Sequence, residues 1–221
     1  MIKQFGKMEL KDVQRLAKRG EGQLLEFKKK ANYPEKIMKE LVAFANSNGG
    51  TLLLGVDDNG DASGVREIDG ETFLVEDAIE KLIRPKLNYS VELIRVNEKK
   101  GIAVFQIEES HKKPHFVKDN PKTRQGTAYI RCADESLKAS REMREIIRRR
   151  LKAKDIQFTY GDKENTLLKL LDEKEQLSLQ EFAKSSQLPT FVASRTLVRL
   201  VLANVLEVKP SPKGDLYSLK K

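Results

Sequence analysis

The chain has 221 residues, with 42 Lys and Arg against 33 Asp and Glu, a net charge of +9 at neutral pH. That length suits one core-forming domain plus a smaller one, and the positive balance favours polyanions as partners. No apolar run approaches the ~18–20 residues of a bilayer span, and Met1 to Leu10 lack the apolar centre of a secretion signal. Cys132, the single cysteine, cannot form an internal disulfide, so the expected setting is a reducing cytoplasm with no membrane partner.

Met8 to Arg19 reads as an amphipathic helix with Leu10, Val13 and Leu16 on its apolar stripe. Glu21 follows between Gly20 and Gly22, where the chain turns freely. The run from Leu24 to Lys30 reads as a strand in which Leu25 and Phe27 point to one face while Glu26 and Lys28 share the other. An acid at such a position costs stability unless its face is solvated, paired with a cation or bound to a metal. Pro34 suits a first helical turn, Ile37, Leu41, Phe44 and Ala45 follow at helical spacing, and Asn48-Gly49-Gly50 is a stop signal. Thr51 to Val56 is nearly all apolar, as a buried central strand should be, and runs into Asp57-Asp58-Asn59-Gly60, whose Asn-Gly pair favours a tight turn. Asp57 and Asp58 are therefore either plain turn residues or, beside Glu21 and Glu26 at one sheet edge, oxygen ligands for a hard divalent cation.

A second core helix is expected near Gly70 to Ile83, ending before Pro85, and a hairpin from Val91-Glu92-Leu93 to Ile102–Ile107 around the turn Glu98 to Gly101. Ser110 to Thr127 reads as a long polar connection carrying Lys112, Lys113, Lys118, Lys122 and Arg124 alongside His115 and Phe116, either a phosphate-holding loop or a solvated one. Tyr129-Ile130-Arg131 returns to a strand. His111 and His115 are spaced like a helical metal pair, but Pro114 lies between them, which argues against a zinc site. No Gly-x-x-x-x-Gly-Lys-Ser/Thr phosphate loop is present, so ATP binding is not expected.

Glu21-x-x-x-x-Glu26-Phe27-Lys28, Ala43-Phe44-Ala45-Asn46-Ser47-Asn48-Gly49-Gly50, Leu54-Gly55-Val56-Asp57-Asp58-Asn59-Gly60, Lys113-Pro114-His115 and Ala128-Tyr129-Ile130-Arg131 together resemble the Schlafen AlbA-like domain over about residues 8–150. That family is often labelled DNA-binding. In its nuclease members two glutamates, a lysine and an aspartate form a metal-dependent site that cleaves structured RNA. The resemblance implies those roles for Glu21, Glu26, Lys28 and Asp57 or Asp58, with Glu21, Glu26 and Asp57 as ligands of Mg²⁺ or Mn²⁺. One cysteine is too few for the zinc element of animal Schlafen proteins, so the chain resembles the shorter prokaryotic members, for which nucleic-acid binding is the usual inference.

Ser140 to Lys154 reads as a basic helix capped by Ser140, with Met143, Ile146, Ile147 and Leu151 apolar and Arg148, Arg149 and Arg150 on the charged side. Residues 155–162 read as a linker. From Lys163 the pattern is that of a winged helix-turn-helix: helices near Leu167–Leu171, Leu179–Ser186 and Phe191–Ala203, then wing strands Val205–Val208 and Leu216–Leu219 around Lys213. Arg195 and Arg199 stand one turn apart, a spacing that lets both face a major groove. The expected fold class is therefore α+β: a mixed α/β sheet domain over 1–154, then a winged helix-turn-helix over 163–221. The expected function is a DNA-binding transcriptional regulator, its contacts drawn from Lys112, Lys113, Arg124, Arg131, Arg148, Arg149, Arg150, Arg195, Arg199 and Lys213. The alternative is a Mg²⁺- or Mn²⁺-dependent endoribonuclease. Expected partners are DNA or structured RNA and, because winged helices also dimerise, a second copy of the chain.

Overall fold

In the computed structural model, residues 8–151 and 160–220 are described. The chain divides into two compact units, Met1–Ser136 and Leu137–Lys221. The expected boundary at 154 thus moves upstream of the basic helix, for a reason visible in the packing of that helix below. Residues 152–159, the end of the expected basic helix and most of the expected 155–162 linker, lie outside the described residues.

The first unit opens with α1 (Leu10–Ala17), then β1 (Leu25–Lys28), α2 (Pro34–Asn46) and β2 (Gly50–Leu54). β1 and β2 pair in parallel, and α2 is the crossover that this direction requires. β3 (Val65–Arg66), α3 (Ile68–Leu82), β4 (Ile83–Arg84), β5 (Tyr89–Asn97) and β6 (Lys100–Ile107) follow. They complete a five-stranded mixed sheet in which β6 pairs antiparallel with β2, β3 and β5. The β5–β6 hairpin is longer and its turn tighter than the sequence pattern suggests, since Asn97 caps it by accepting from the N–H groups of Lys99 and Lys100 at 2.9 and 3.0 Å.

Strand parity explains the layering. Leu52 and Leu54 of β2, with Ala103, Phe105 and Ile107 of β6, face α2 and α3. Leu53, Ile102 and Val104 face α1 through Val13 and Ala17. An apolar strand with helices on both faces has no solvated side, which is why Leu52-Leu53-Leu54 shows no alternation. The stop after α2 is steric as well as conformational. Gly49 sits at φ +78°, and a Cβ on Gly50 would meet the Phe44 ring at 2.3 Å, so the helix end and the sheet close on each other only through glycine.

The basic connection after β6 is partly structured. β7 (Phe116–Val117) pairs with β4, and β8 (Tyr129–Cys132) pairs with β9 (Glu135–Lys138). In the second unit α4 (Arg141–Arg150) precedes α5 (Asp162–Lys174), β10 (Gln176–Ser178), α6 (Leu179–Ser185), α7 (Thr190–Leu202), β11 (Leu206–Lys209) and β12 (Leu216–Leu219). Its three strands form one antiparallel sheet in the order β10-β12-β11. Ile146 of α4 lies in the same core as Leu167, Phe182, Leu197 and Tyr217, which places the basic helix in this unit. Ser140 caps α4 as expected, its Oγ accepting from Met143 N–H at 2.9 Å and donating to Asp215 at 2.5 Å. Among the described residues no helix is long and apolar enough to cross a membrane.

The acidic cluster and the candidate nucleic-acid interface

β1 carries Glu26 and Lys28 on one face, as its parity requires, and that face is buried rather than solvated: Glu26 is 5% exposed. Of the three settings open to an acid there, the structure takes cation pairing. One Glu26 oxygen accepts from Lys28 Nζ and the other from Arg131 Nη2 at 2.7 Å. Arg131 Nη1 also reaches Glu40 Oε2 at 2.6 Å, and Ser136 Oγ donates to the same Glu40 oxygen. The guanidinium further donates to the carbonyls of Gly22 and Leu25 and lies over the Phe44 ring at 5.0 Å. Its side chain is fully buried. Arg131, expected to contact nucleic acid, is therefore the internal counter-charge of Glu26 and Glu40. Strand β8 lies against α2 and turns this side chain inward, and a buried guanidinium demands carboxylate partners.

Glu21 turns back on β1 and accepts the Phe27 N–H at 2.7 Å. Its pKa is raised, first by burial and then by the charges of Glu26 and Asp58, against the Phe27 hydrogen bond and Lys28. Glu21 is thus held against β1, with the charges of Glu26 and Asp58 bearing on it. Asp57 instead pairs with Lys29 at 2.8 Å, and its own carbonyl closes the Asp57–Gly60 turn at 2.8 Å. Glu40 is the member sequence reasoning missed. The available signal was its place on α2, three residues after Ile37 and four before Phe44, at the edge of the apolar stripe. Burial raises the Glu40 pKa, and the Glu26 charge adds to this while Ser136 and Arg131 oppose it.

These side chains do not fit a metal site as they stand. Both oxygens of Glu26 are engaged by cations, Asp57 is turned to Lys29, and among the described residues no group of three or more His, Cys, Asp or Glu is arranged to hold an ion.

The basic connection also departs from expectation. Lys113 is tied to the Ser47 carbonyl at 2.5 Å and to Glu109 at 2.7 Å, which removes it from the phosphate-contact set. Lys112 and Arg124 are exposed. His115 is buried at 1% exposure, held by Asn46, which bonds both its N–H and its carbonyl. Its Nδ1 faces the Pro85 carbonyl at 2.9 Å, an acceptor only, so Nδ1 carries the proton and Nε2 accepts from Ser110 Oγ at 2.6 Å.

In the second unit, α7 buries Ala193, Thr196, Leu197, Leu200 and Val201 and leaves Phe191, Arg195 and Arg199 on its exposed stripe. α4 packs along the same helix, with Ser194 Oγ donating to Glu142 at 2.5 Å. Between them lies a cleft of ≈ 410 Å³ whose walls carry Arg141 and Arg149 from α4 and Arg195 and Arg199 from α7. Arginines read from the sequence as belonging to two domains thus share one cleft. Arg148 and Arg150 are exposed on α4, and Lys213 is exposed between β11 and β12.

A mixed sheet covered by helices on both faces, with a buried Glu-Lys-Arg cluster at the β1 edge, defines the first unit as an α+β domain of the AlbA-like kind. The chain belongs to the Schlafen, AlbA_2 family, which it matches over residues 21–140, more than half of its length. Among solved structures it is similar to the N-terminal domain of a Nitrosomonas europaea protein named as related to the ATP-dependent DNA helicase RecG, at 22% identity and a TM-score of 0.39, covering 59% of this chain and 92% of that one. It is also similar to the DIP2311 protein of Corynebacterium diphtheriae, at 15% identity and a TM-score of 0.42, covering 90% of this chain but only 34% of that protein's length. No curated protein matches the chain.

Proposed function

We propose that the chain is a nucleic-acid-binding protein, a DNA-binding transcriptional regulator whose second unit is a winged helix-turn-helix. The order helix, strand, helix, helix, strand, strand from α5 to β12 supports the winged-helix reading, with α7 as third helix and the β11–β12 hairpin as wing. The observation that carries the function is the cleft in which Arg141, Arg149, Arg195 and Arg199 outnumber Glu142 and Glu145, an excess of cations suited to phosphates without a metal. The first unit's family resemblance to domains labelled DNA-binding and the chain's net charge of +9 agree with it.

The alternative, a Mg²⁺- or Mn²⁺-dependent endoribonuclease using Glu21, Glu26, Lys28 and Asp57 or Asp58, draws little support from the acidic cluster. Its central carboxylate is neutralised by Lys28 and Arg131, and its lysine is engaged by that carboxylate rather than presented to a phosphate. Both readings meet in one experiment: duplex DNA and structured RNA incubated with the full chain, in Mn²⁺ or EDTA, scored for binding and cleavage. The expected result is salt-sensitive retardation without cleavage. Mn²⁺-dependent cleavage that Glu21→Gln abolishes would favour the nuclease, and no retardation at low salt removes the binding reading.

A further inference from the structure

The α4–α7 cleft holds its own acids. Glu142 and Glu145 line it beside Arg141 and Arg149 on α4, with Arg195 and Arg199 contributed by α7. The two glutamates are held differently. Glu142 is fixed by the Ser194 hydroxyl at 2.5 Å, a bond between α4 and α7. Among the described residues, Glu145 pairs with side chains of its own helix: one oxygen with Arg148 Nη2, while the other lies 3.8 Å from Arg149 Nη1. Arg148 and Arg149 are 58% and 45% exposed, so these are solvent-screened contacts of adjustable side chains. A backbone phosphate carries one negative charge and matches the planar guanidinium fork with two parallel hydrogen bonds, as a carboxylate does; its advantage is that a duplex brings many phosphates at once and releases their counterions.

We propose that the Glu145 carboxylate is a resident competitor in this cleft, which a backbone phosphate of duplex DNA displaces from Arg149, so that Glu145 sets how strongly the protein binds DNA regardless of sequence. The proposal rests on the nucleic-acid reading above and assigns it a place. Phosphate contact is made in the cleft between α4 and α7, and Glu145 weakens it so that Arg195 and Arg199 are not masked by indiscriminate attraction along α4. Neutralising Glu145 removes one of the two acids opposing four arginines.

The test compares full-length wild type, Glu145→Gln, Arg149→Ala and the double variant on a short random-sequence duplex, by fluorescence anisotropy across a salt series. Arg149 is exposed and Glu145 half-buried, and far-ultraviolet circular dichroism verifies the fold of each variant. Glu145→Gln should bind about two- to tenfold more tightly at fixed salt, and Arg149→Ala should bind more weakly with a log–log salt slope shallower by about 0.9. In the double variant the gain from Glu145→Gln should shrink. If wild type binds but Glu145→Gln binds no more tightly, or the gain persists undiminished without Arg149, the inference fails and the nucleic-acid reading stands. If wild type binds no duplex at low salt, both fail.

Discussion

Arg131 joins two acids that share no sequence neighbourhood. Removing its guanidinium leaves Glu40 without its ion pair and Glu26 with Lys28 alone, in a poorly solvated site. Arg131→Ala should therefore destabilise the first unit by about 3–5 kcal/mol, read as a lower urea midpoint. Arg131→Lys should rescue little, because one ammonium lacks the fork that reaches Glu26, Glu40 and two backbone carbonyls together. A loss near zero for Arg131→Ala would mean the network is dispensable. His115 gives a second prediction at this scale. Burial lowers its pKa below the ordinary 6.5, with Lys113 adding to the effect and the Pro85 hydrogen bond opposing it. The unfolded chain therefore takes up this proton more readily than the folded one. The stability that the neutral ring contributes is full above about pH 6.5 and declines as pH falls below it. Glu21 and Glu40, with raised pKa values, act in the opposite sense at lower pH, so the informative quantity is a difference between proteins. The stability gap between wild type and His115→Gln should narrow from about pH 8 to about pH 5.5 in paired urea titrations.

At the scale of elements, β1 and β2 followed their sequence patterns closely because parity and apolarity are local properties. β10 and β7 were not foreseen. Gln176–Ser178 and Phe116–Val117 are too short to show a period, and each pairs with a strand distant in sequence, β12 for the first and β4 for the second. α7 was legible, including its exposed Arg195 and Arg199, because seven of its thirteen residues are buried on one side at helical spacing. If that exposed stripe reads base edges, Arg195→Ala should reduce discrimination between a preferred site and random duplex. The expected loss is about 1–3 kcal/mol, roughly five- to a hundredfold, in competition binding. Intact specificity in that variant would point to α7 as a protein-docking surface instead.

The whole molecule changes where it should be cut. A piece beginning at residue 160 lacks α4, and with it Ile146 and Met143, which are 0% and 3% exposed. Residues 137–221 should therefore fold cooperatively and bind duplex DNA, whereas residues 160–221 should show a broadened or lower thermal transition and weaker binding. Equal melting of the two pieces would show that α4 adds nothing to this core. Deleting a buried isoleucine already costs about 2–5 kcal/mol, so the loss of the whole helix should be plain by calorimetry.

The sequence by itself determined the helices and strands with long periodic patterns, the motif order that marks the family, the Ser140 cap, and the freedom of Glu21, between Gly20 and Gly22, to turn back on β1. Each of these is decided within a few residues, by side-chain period, glycine freedom or a capping hydroxyl. Tertiary structure alone decided that Glu26 meets Arg131 from more than a hundred positions away, that Asp57 is turned to Lys29, and that Lys113 is consumed internally. It also decided that the basic helix joins the core of the second unit, so that arginines from α4 and α7 face one cleft. The reason is the same in each case: a charge reports its type in sequence, but its partner is chosen by which surfaces burial brings together.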